Sequence, residues 1–486
     1  FEDLNPHSRY AVHFEGIKNE MSRRGGFTTL PTDPEMLRFI VGSADDPILK
    51  ISPENKPEIW KSLWEDQFCE QWSGADAMFR LGGQVHLRGD IVQELRSLLE
   101  KHEDLYVELN QYKLATRDNK GLARVDGNTN TDCVALARGP LWDDSLNSLA
   151  RKSKALPIHE IEQRILELED TIAEKFRQRY RLHWNRPYVR EVIAHCPQYM
   201  IHGGADLCGE LLQSPYGPVL MRISKQVCWE YQSQLWDKSS HKGSTVNRNA
   251  PQPGPLDLRG TFQGHEGRIH RFGKVCALFI DTWSNRISLD GRFCPDRDLI
   301  SPKQWDFITD AFQWNEDIDT LLVFMDMPFT GRTPAEVDQV ATLKGRSWKH
   351  DEWSCRETEF VELLKKLNDW TSASKGRTVQ LITGTAFIAA AGEALLRHVR
   401  TGVTVRHLAV GPLSGIAHGG LPERETPFGL LGEYSRIPMY RTFFRNYGIV
   451  RIEKSDETSS LAGGPMRAWK RTAPTTTKIR AIKSSL

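Results

Sequence analysis

The 486-residue sequence is first defined by what it lacks. No apolar run approaches the 18 or so residues that a membrane-spanning helix needs, so a transmembrane helix is not expected. Its eight cysteines (69, 133, 196, 208, 228, 276, 294 and 355) contain no C-x-x-C pair, which argues against a zinc knuckle or a disulfide framework. No N-x-S/T acceptor occurs, which favours an intracellular compartment over secretion. An excess of charge is also missing: 64 basic against 63 acidic side chains leave a formal +1, which excludes nucleic-acid binding driven by the charge of the whole chain. No P-loop, G-x-S-x-G elbow or H-E-x-x-H helix is present. The chain opens on Phe1 rather than Met. A removed leader and a start inside a longer chain both fit that beginning.

What is present reads as a layered α/β protein. Short runs rich in Val, Ile, Leu and Phe end in or near Gly, Ser or Asp: Leu37 to Gly42, Ala75 to Gly82, Gln198 to Gly203, Val275 to Thr282, Leu321 to Met327, Val379 to Gly384 and Val405 to Gly411. Continuous apolarity of that length marks strands buried on both faces, the kind that helices cover. Helical patterns fall between them, at Ile59 to Trp72 and at Phe360 to Trp370. A longer one follows Pro157 to Trp184, where Ile158, Ile161, Ile165, Leu168, Ile172 and Phe176 recur every three or four residues. The alternation predicts an α/β sandwich. The expected organisation is an N-terminal extension (1–36), one main domain (37–457) with surface insertions at about 113–150 and 239–260, and a basic C-terminal tail (458–486). The segment GHEGRIHR, with His265 and His270, reads as a polar surface turn.

In such sheets ligands bind beyond the carboxyl ends of the strands, and those ends carry an ordered pattern here. LRFIVGSADD, DAMFRLGGQVH, RPYVREVIAHCPQYMIHGGADL, ALFIDTWSNR with LISPKQWDFI, LLVFMDMP and VQLITGTAFIAAAG follow one another from about Leu37 onward. Together they resemble the strand-end motifs of the PhoD-type (alkaline phosphatase D-like) metallophosphoesterases: Ser-Cys, Gly-Asp-Gln-x-Tyr, Asp-Asp-His-Glu, Leu-Asp-Thr-Arg and Ser-Gly-Asp-Val-His. The resemblance implies a metallophosphoesterase α/β sandwich whose strand ends hold a metal cluster, iron with calcium in the prototype. Such a cluster polarises a phosphate and activates a nucleophile.

The same comparison implies that the donors are gone. Ala44 stands at the cysteine position, Gly83 at the aspartate of the second motif and His86 at its tyrosine. Gly203, Gly204 and Ala205 replace Asp-Asp-His and leave Asp206 at the glutamate position. Thr385 and Phe387 replace the final aspartate and histidine. Glycine and alanine side chains offer a cation nothing. The resulting expectation is a degenerate member: a pseudoenzyme without a cofactor or catalytic residues, serving with other protein subunits in a larger assembly, for which an organelle such as the mitochondrion is one setting. Two alternatives stay open. His86, His202, Asp206 and Asp45 would rebuild a metal site in a divergent phosphodiesterase or phosphatase, or the glycine-rich turns would hold a phospho-ligand through backbone N–H groups. The C-terminal segment has six cations and no acid. Its Arg467, Trp469, Lys470, Arg471, Lys478, Arg480 and Lys483 are expected to contact a partner, with RNA, acidic protein and anionic lipid as the candidate classes.

Overall fold

The protein is described by a computed structural model, covering residues 5, 8–13, 24–29, 36–45, 59–69, 75–85, 89–118, 157–207, 216–233, 267–286, 294, 297–313, 317–327, 353, 356–384, 391–398, 404–411, 413, 434–442, 446–454 and 475–483. The chain divides into two compact units, residues 1–89, 176–255 and 259–486 in one, and 90–175 with 256–258 in the other.

In the larger unit, β1 (Arg9–His13) and β2 (Arg24–Thr28) form a two-stranded antiparallel sheet. A five-stranded sheet is built from β3 (Met36–Gly42), β4 (Ala77–Leu81), β5 (Gln198–Ile201), β13 (Asn446–Lys454) and β14 (Thr475–Lys483), in the order β14-β13-β3-β4-β5. Its β3, β4 and β5 are parallel, and β13 and β14 are added antiparallel. A seven-stranded sheet has the order β12-β10-β11-β9-β8-β7-β6. Its strands are β6 (Arg268–Phe272), β7 (Val275–Phe279), β8 (Thr320–Met325), β9 (Thr378–Thr383), β10 (Ala391–His398), β11 (Thr404–Ala409) and β12 (Tyr434–Thr442). The parallel strands β7, β8, β9 and β11 occupy its centre.

The side-chain period of two explains the apolar runs. Leu37, Phe39 and Val41 of β3 and Ala77, Phe79 and Leu81 of β4 pack against Phe279 and Phe324 of the other sheet. The intervening Ile40 and Met78 face Trp60 and Leu63 of α1 (Ile59–Trp64) and Val189 and Val192 of α4 (Val189–His195). Phe79 lies 4.3 Å from Phe324 and 4.9 Å from Phe39 between ring centroids, close enough for aromatic pairing to add to burial. Both faces of these strands are covered, which is why they show no polar alternation. All seven expected strands are present.

The smaller unit holds most of two long helices, α2 (Gly89–Asp118) and α3 (Ile158–Trp184). Leu109, Ile161 and Ile165 form its buried contact, and His102 Nε2 meets the buried Glu169 Oε1 at 2.8 Å. Helix α2 runs to Asp118, into the stretch expected as an insertion from about 113, through good helix formers; residues 119–150 and 239–260 lie outside the described residues. Within the segment expected as a basic tail, Thr475–Lys483, a β-prone run without proline, pairs along all of β13. Further α-helices among the described residues are α5 (Gly217–Cys228), α6 (Pro302–Gln313) and α7 (Glu357–Ala373). Arg268–Phe272, expected as part of a surface turn, is the edge strand β6, where the His270 ring packs 4.5 Å from Tyr199.

Candidate functional site

The ends of β3, β4, β5, β7, β8 and β9 converge, and the turns that follow them bind one another. Ala44 N donates to Gly82 O (3.0 Å), Asp45 N to Gly83 O (2.7 Å), Gly82 N to Ile201 O (2.9 Å) and Gly384 N to Met325 O (3.0 Å). Ala44, Gly82 and Gly83 all have positive φ (44°, 72° and 63°), a left-handed path that glycine adopts without cost and alanine does not.

Asp206 organises this edge. Its Oδ2 accepts from the N–H groups of Gly83 (2.8 Å) and Gly203 (2.9 Å), and its Oδ1 accepts from Val85 N (2.9 Å). Burial pushes its carboxyl pKa up, while the three N–H bonds and His202 act against that rise. The donors that would greet an external anion are therefore engaged by a side chain of the protein itself.

Trp283 closes the place where the resemblance puts metal ligands. A Cβ built on Gly204 lies 2.5 Å from Trp283 Cζ2 and overlaps the indole, so only a residue without a side chain fits beside that ring. The indole N–H and the Thr282 hydroxyl both donate to the carboxylate of Asp326. The Arg286 guanidinium, itself buried, stacks 4.1 Å over the same ring. Asp326 fills the space beside the other glycines, since a Cβ on Gly82 would stand 2.7 Å from its Cβ and one on Gly203 would stand 3.1 Å from its Oδ2. Asp281 shapes the turn: its Oδ1 accepts from Trp283 N (2.9 Å) and Ser284 N (3.0 Å), and Gln304 bonds both its backbone N–H and C=O. His202 Nε2 lies 3.6 Å from Asp281 Oδ1.

Asp45 faces elsewhere, into a buried ionic cluster. Its Oδ2 is met by His183 Nε2 (2.7 Å) and Trp60 Nε1 (3.1 Å), and Arg186 Nη2 lies 3.3 Å from Oδ1. The fully buried Arg80 stands 3.6 Å away, with its guanidinium carbon 5.4 Å from the Trp60 ring and 5.8 Å from Trp184. Burial alone would raise the Asp45 pKa. The opposing pull of His183, Arg186 and Arg80 wins and holds the carboxyl far below the usual range.

The structure thus brings together Ala44, Gly83, Gly203, Gly204, His202 and Asp206, and it commits Asp45 and Asp206 to internal bonds. His86, Thr385, Phe387, Arg467, Trp469, Lys470 and Arg471 lie outside the described residues, and Lys478, Arg480 and Lys483 fall on β14. Among the described residues no group of three His, Cys, Asp or Glu stands in positions to hold a metal ion. The metal cluster of the resembled family does not fit these residues. Gly203 and Gly204 supply no donor, an indole fills the space beside one of them, and the nearest carboxylates already accept hydrogen bonds. Trp283, Asp326, Arg80 and His183 were not singled out by sequence. Trp283 does carry a visible signal, standing directly after Asp-Thr where the resembled motif has arginine.

Burial raises the Asp326 pKa to about 6, against the downward pull of Thr282 and Trp283. Between about pH 4, where the unfolded carboxyl titrates, and about pH 6, the folded protein binds more protons, so this residue makes stability fall as pH rises. The two-unit difference corresponds to a penalty on the order of 3 kcal/mol above pH 6. Asp326→Asn keeps an oxygen for the indole N–H and an amide for the Thr282 hydroxyl. The variant is expected to equal or exceed the wild type in stability at pH 8 and to remove this pH 4–6 component. Urea titrations from pH 4 to 8 read both, and an unchanged pH dependence would refute the assignment.

No family model matches the sequence, and no curated protein matches it. Four solved chains do match in structure. One is the structure of PhoD, with a TM-score of 0.50 and 11% identity over 88% of this chain and 66% of that one. Another is the purple acid phosphatase PPD1 from yellow lupin (Lupinus luteus) seeds, with a TM-score of 0.41 and 10% identity over 92% of this chain and 56% of that one. The chain spans about two thirds of the PhoD structure's length. It has a mixed α/β fold of the metallophosphoesterase type, with two parallel-rich sheets flanked by helices. Within that class the likeness is to PhoD in fold alone.

Proposed function

We propose that the chain is a catalytically inactive phosphatase-like protein whose fold serves as a structural or interaction subunit of a larger assembly. The observation that carries this reading is the Trp283 indole beside Gly204, bonded to Asp326 at the strand ends where a PhoD-like enzyme would need cation donors. Phosphoester hydrolysis of the metal-dependent kind needs an open coordination position and a space for phosphate. Here the glycines accommodate side chains that fill that space, and the neighbouring backbone N–H groups are used by Asp206. The same engagement speaks against a phospho-ligand held by those turns. A protein relieved of catalysis keeps its sheets, helices and basic segment as contact surfaces, and an organellar complex is the setting we favour.

The test is direct. Purified protein incubated with Fe, Ca, Mn, Zn or Mg and aryl phosphate mono- or diesters should hydrolyse neither above the rate of the same mixture with heat-denatured protein. It should also contain less than one transition metal per chain by elemental analysis. Turnover that depends on His202 or Asp206, with stoichiometric metal, would establish the divergent phosphodiesterase instead.

A further inference from the structure

A groove of about 510 Å³ runs between α2 and α3 within the helical unit. Lys101, Asp104 and Leu105 of α2 and Arg164, Glu167 and Leu168 of α3 line it. The helices are antiparallel: His102 meets Glu169 at 2.8 Å, whereas Lys113, further along α2, meets Glu162, earlier on α3, at 3.2 Å. Each helix gives the groove the same spacing, a base, an acid three residues on, and then leucine, as Lys101-x-x-Asp104-Leu105 and Arg164-x-x-Glu167-Leu168. Residues three and four apart on a helix share a face. Because the helices run in opposite directions, the two patterns are related by an approximate local dyad normal to the groove. The leucines and acids lie near its centre, and the two bases lie at its ends, roughly 10 Å apart along the axis at about 1.5 Å per residue.

Leu105 and Leu168 are half-buried, in contrast to the fully covered seam of Leu109, Ile161 and Ile165. The four charged side chains are exposed. Among the described residues Lys101, Asp104 and Arg164 form no ion pair, and the Glu167 carboxylate accepts from Gln163 Nε2 (3.1 Å) on its own helix. Each base has an acid within one turn, so the groove does not select a polyanion or an anionic membrane.

We propose that this face binds the same face of a second copy of the chain, forming a twofold dimer through the helical unit. An interface between identical subunits has to complement itself about a dyad. A copy turned about an axis in the plane of this face and oblique to the groove sets Lys101 against Asp104 of the partner subunit and Arg164 against Glu167 of the partner subunit. The leucines are then buried between the charges, the apolar centre and polar rim of a protein interface. An unrelated helix would have to present the matching order at both ends, which a second copy supplies without further condition. The inference concerns the helical unit alone, so it stands or falls independently of the hydrolysis test.

The measurement is sedimentation velocity of the full chain over a concentration series. The wild type should approach twice the chain mass as concentration rises, and added salt should shift it toward the monomer. Lys101→Glu with Arg164→Glu makes the charges of this face wholly acidic, and Asp104→Lys with Glu167→Lys makes them wholly basic. Each double variant alone should dimerise about 10-fold more weakly or worse, because like charges then oppose one another. Mixed in equal amounts, the two should associate at least as well as the wild type. All four positions are exposed and the new residues are good helix formers, so circular dichroism should be unchanged. A wild type that stays monomeric throughout would overturn the proposal. So would double variants that dimerise like the wild type, or that are folded and fail to associate when mixed. A monomeric wild type whose thermal midpoint falls in both variants would assign the groove to residues 119–156 of the same chain instead.

Discussion

Gly204→Ala is expected to destabilise the protein by about 1–3 kcal/mol although it adds one methyl group. Gly204 is not among the positive-φ residues, so its backbone accepts alanine and the cost is steric. The new Cβ would penetrate the Trp283 ring, which Asp326 and Arg286 hold in place. Trp283→Ala alone should cost about 3–5 kcal/mol, through lost burial and an Asp326 carboxylate deprived of a donor. Together the two changes should cost little more than Trp283→Ala, because the methyl enters vacated space. The coupling of about 1–3 kcal/mol is readable from guanidinium denaturation of the four proteins. Additivity within about 0.5 kcal/mol would show that the two residues do not exclude one another. The consequence for function is specific. A carboxylate or imidazole placed at position 204 would claim the same volume as the Trp283 indole.

Asp45→Asn should be the most damaging single exchange that leaves side-chain size unchanged, at about 3–5 kcal/mol. It removes the carboxylate that faces Arg80, His183 and Arg186, and it leaves the guanidinium of Arg80 fully buried without its anion. Adding Arg80→Met should recover a large part of the loss, since an apolar side chain suits the Trp60 and Trp184 faces and carries no desolvation penalty. The pH signature has the opposite sign to that of Asp326. With the folded pKa depressed, the Asp45 contribution is complete above the unfolded value near 4, and it declines as pH falls below it. The difference between wild type and Asp45→Asn should therefore be constant from pH 5 to 8 and shrink in acid. A difference below about 1 kcal/mol, or one indifferent to acid, would mean that the cluster is not a stabilising unit.

These expectations rest on residues that differed greatly in how visible they were. The strands could be read because burial on both faces leaves an uninterrupted apolar run, as in LLVFM of β8 and VCALF of β7, and turn residues end each one. Helix α3 was legible from its three-to-four spacing. That positions 83, 203 and 204 offer no side-chain donor was also legible, because glycine has no side chain in any environment. The role of Asp45 was not. Beside Ala44 it looked like a candidate metal ligand, and its partners, His183 at the end of α3 and Arg80 within β4, are distant in sequence. The β14 strand was hidden by composition, since a run with Lys478, Arg480 and Lys483 reads as solvated chain until β13 offers it an edge.

The sequence by itself determined the layered α/β class, the order of the buried strands and the glycines at 83, 203 and 204, since hydrophobic periodicity and residue identity are local properties. Only the tertiary structure decided what stands beside those glycines. Whether Trp283 lies in solvent or against Gly204, and whether Asp206 meets a cation or three backbone N–H groups, depends on how turns from separate strands approach within van der Waals distance, and sequence spacing does not record that approach.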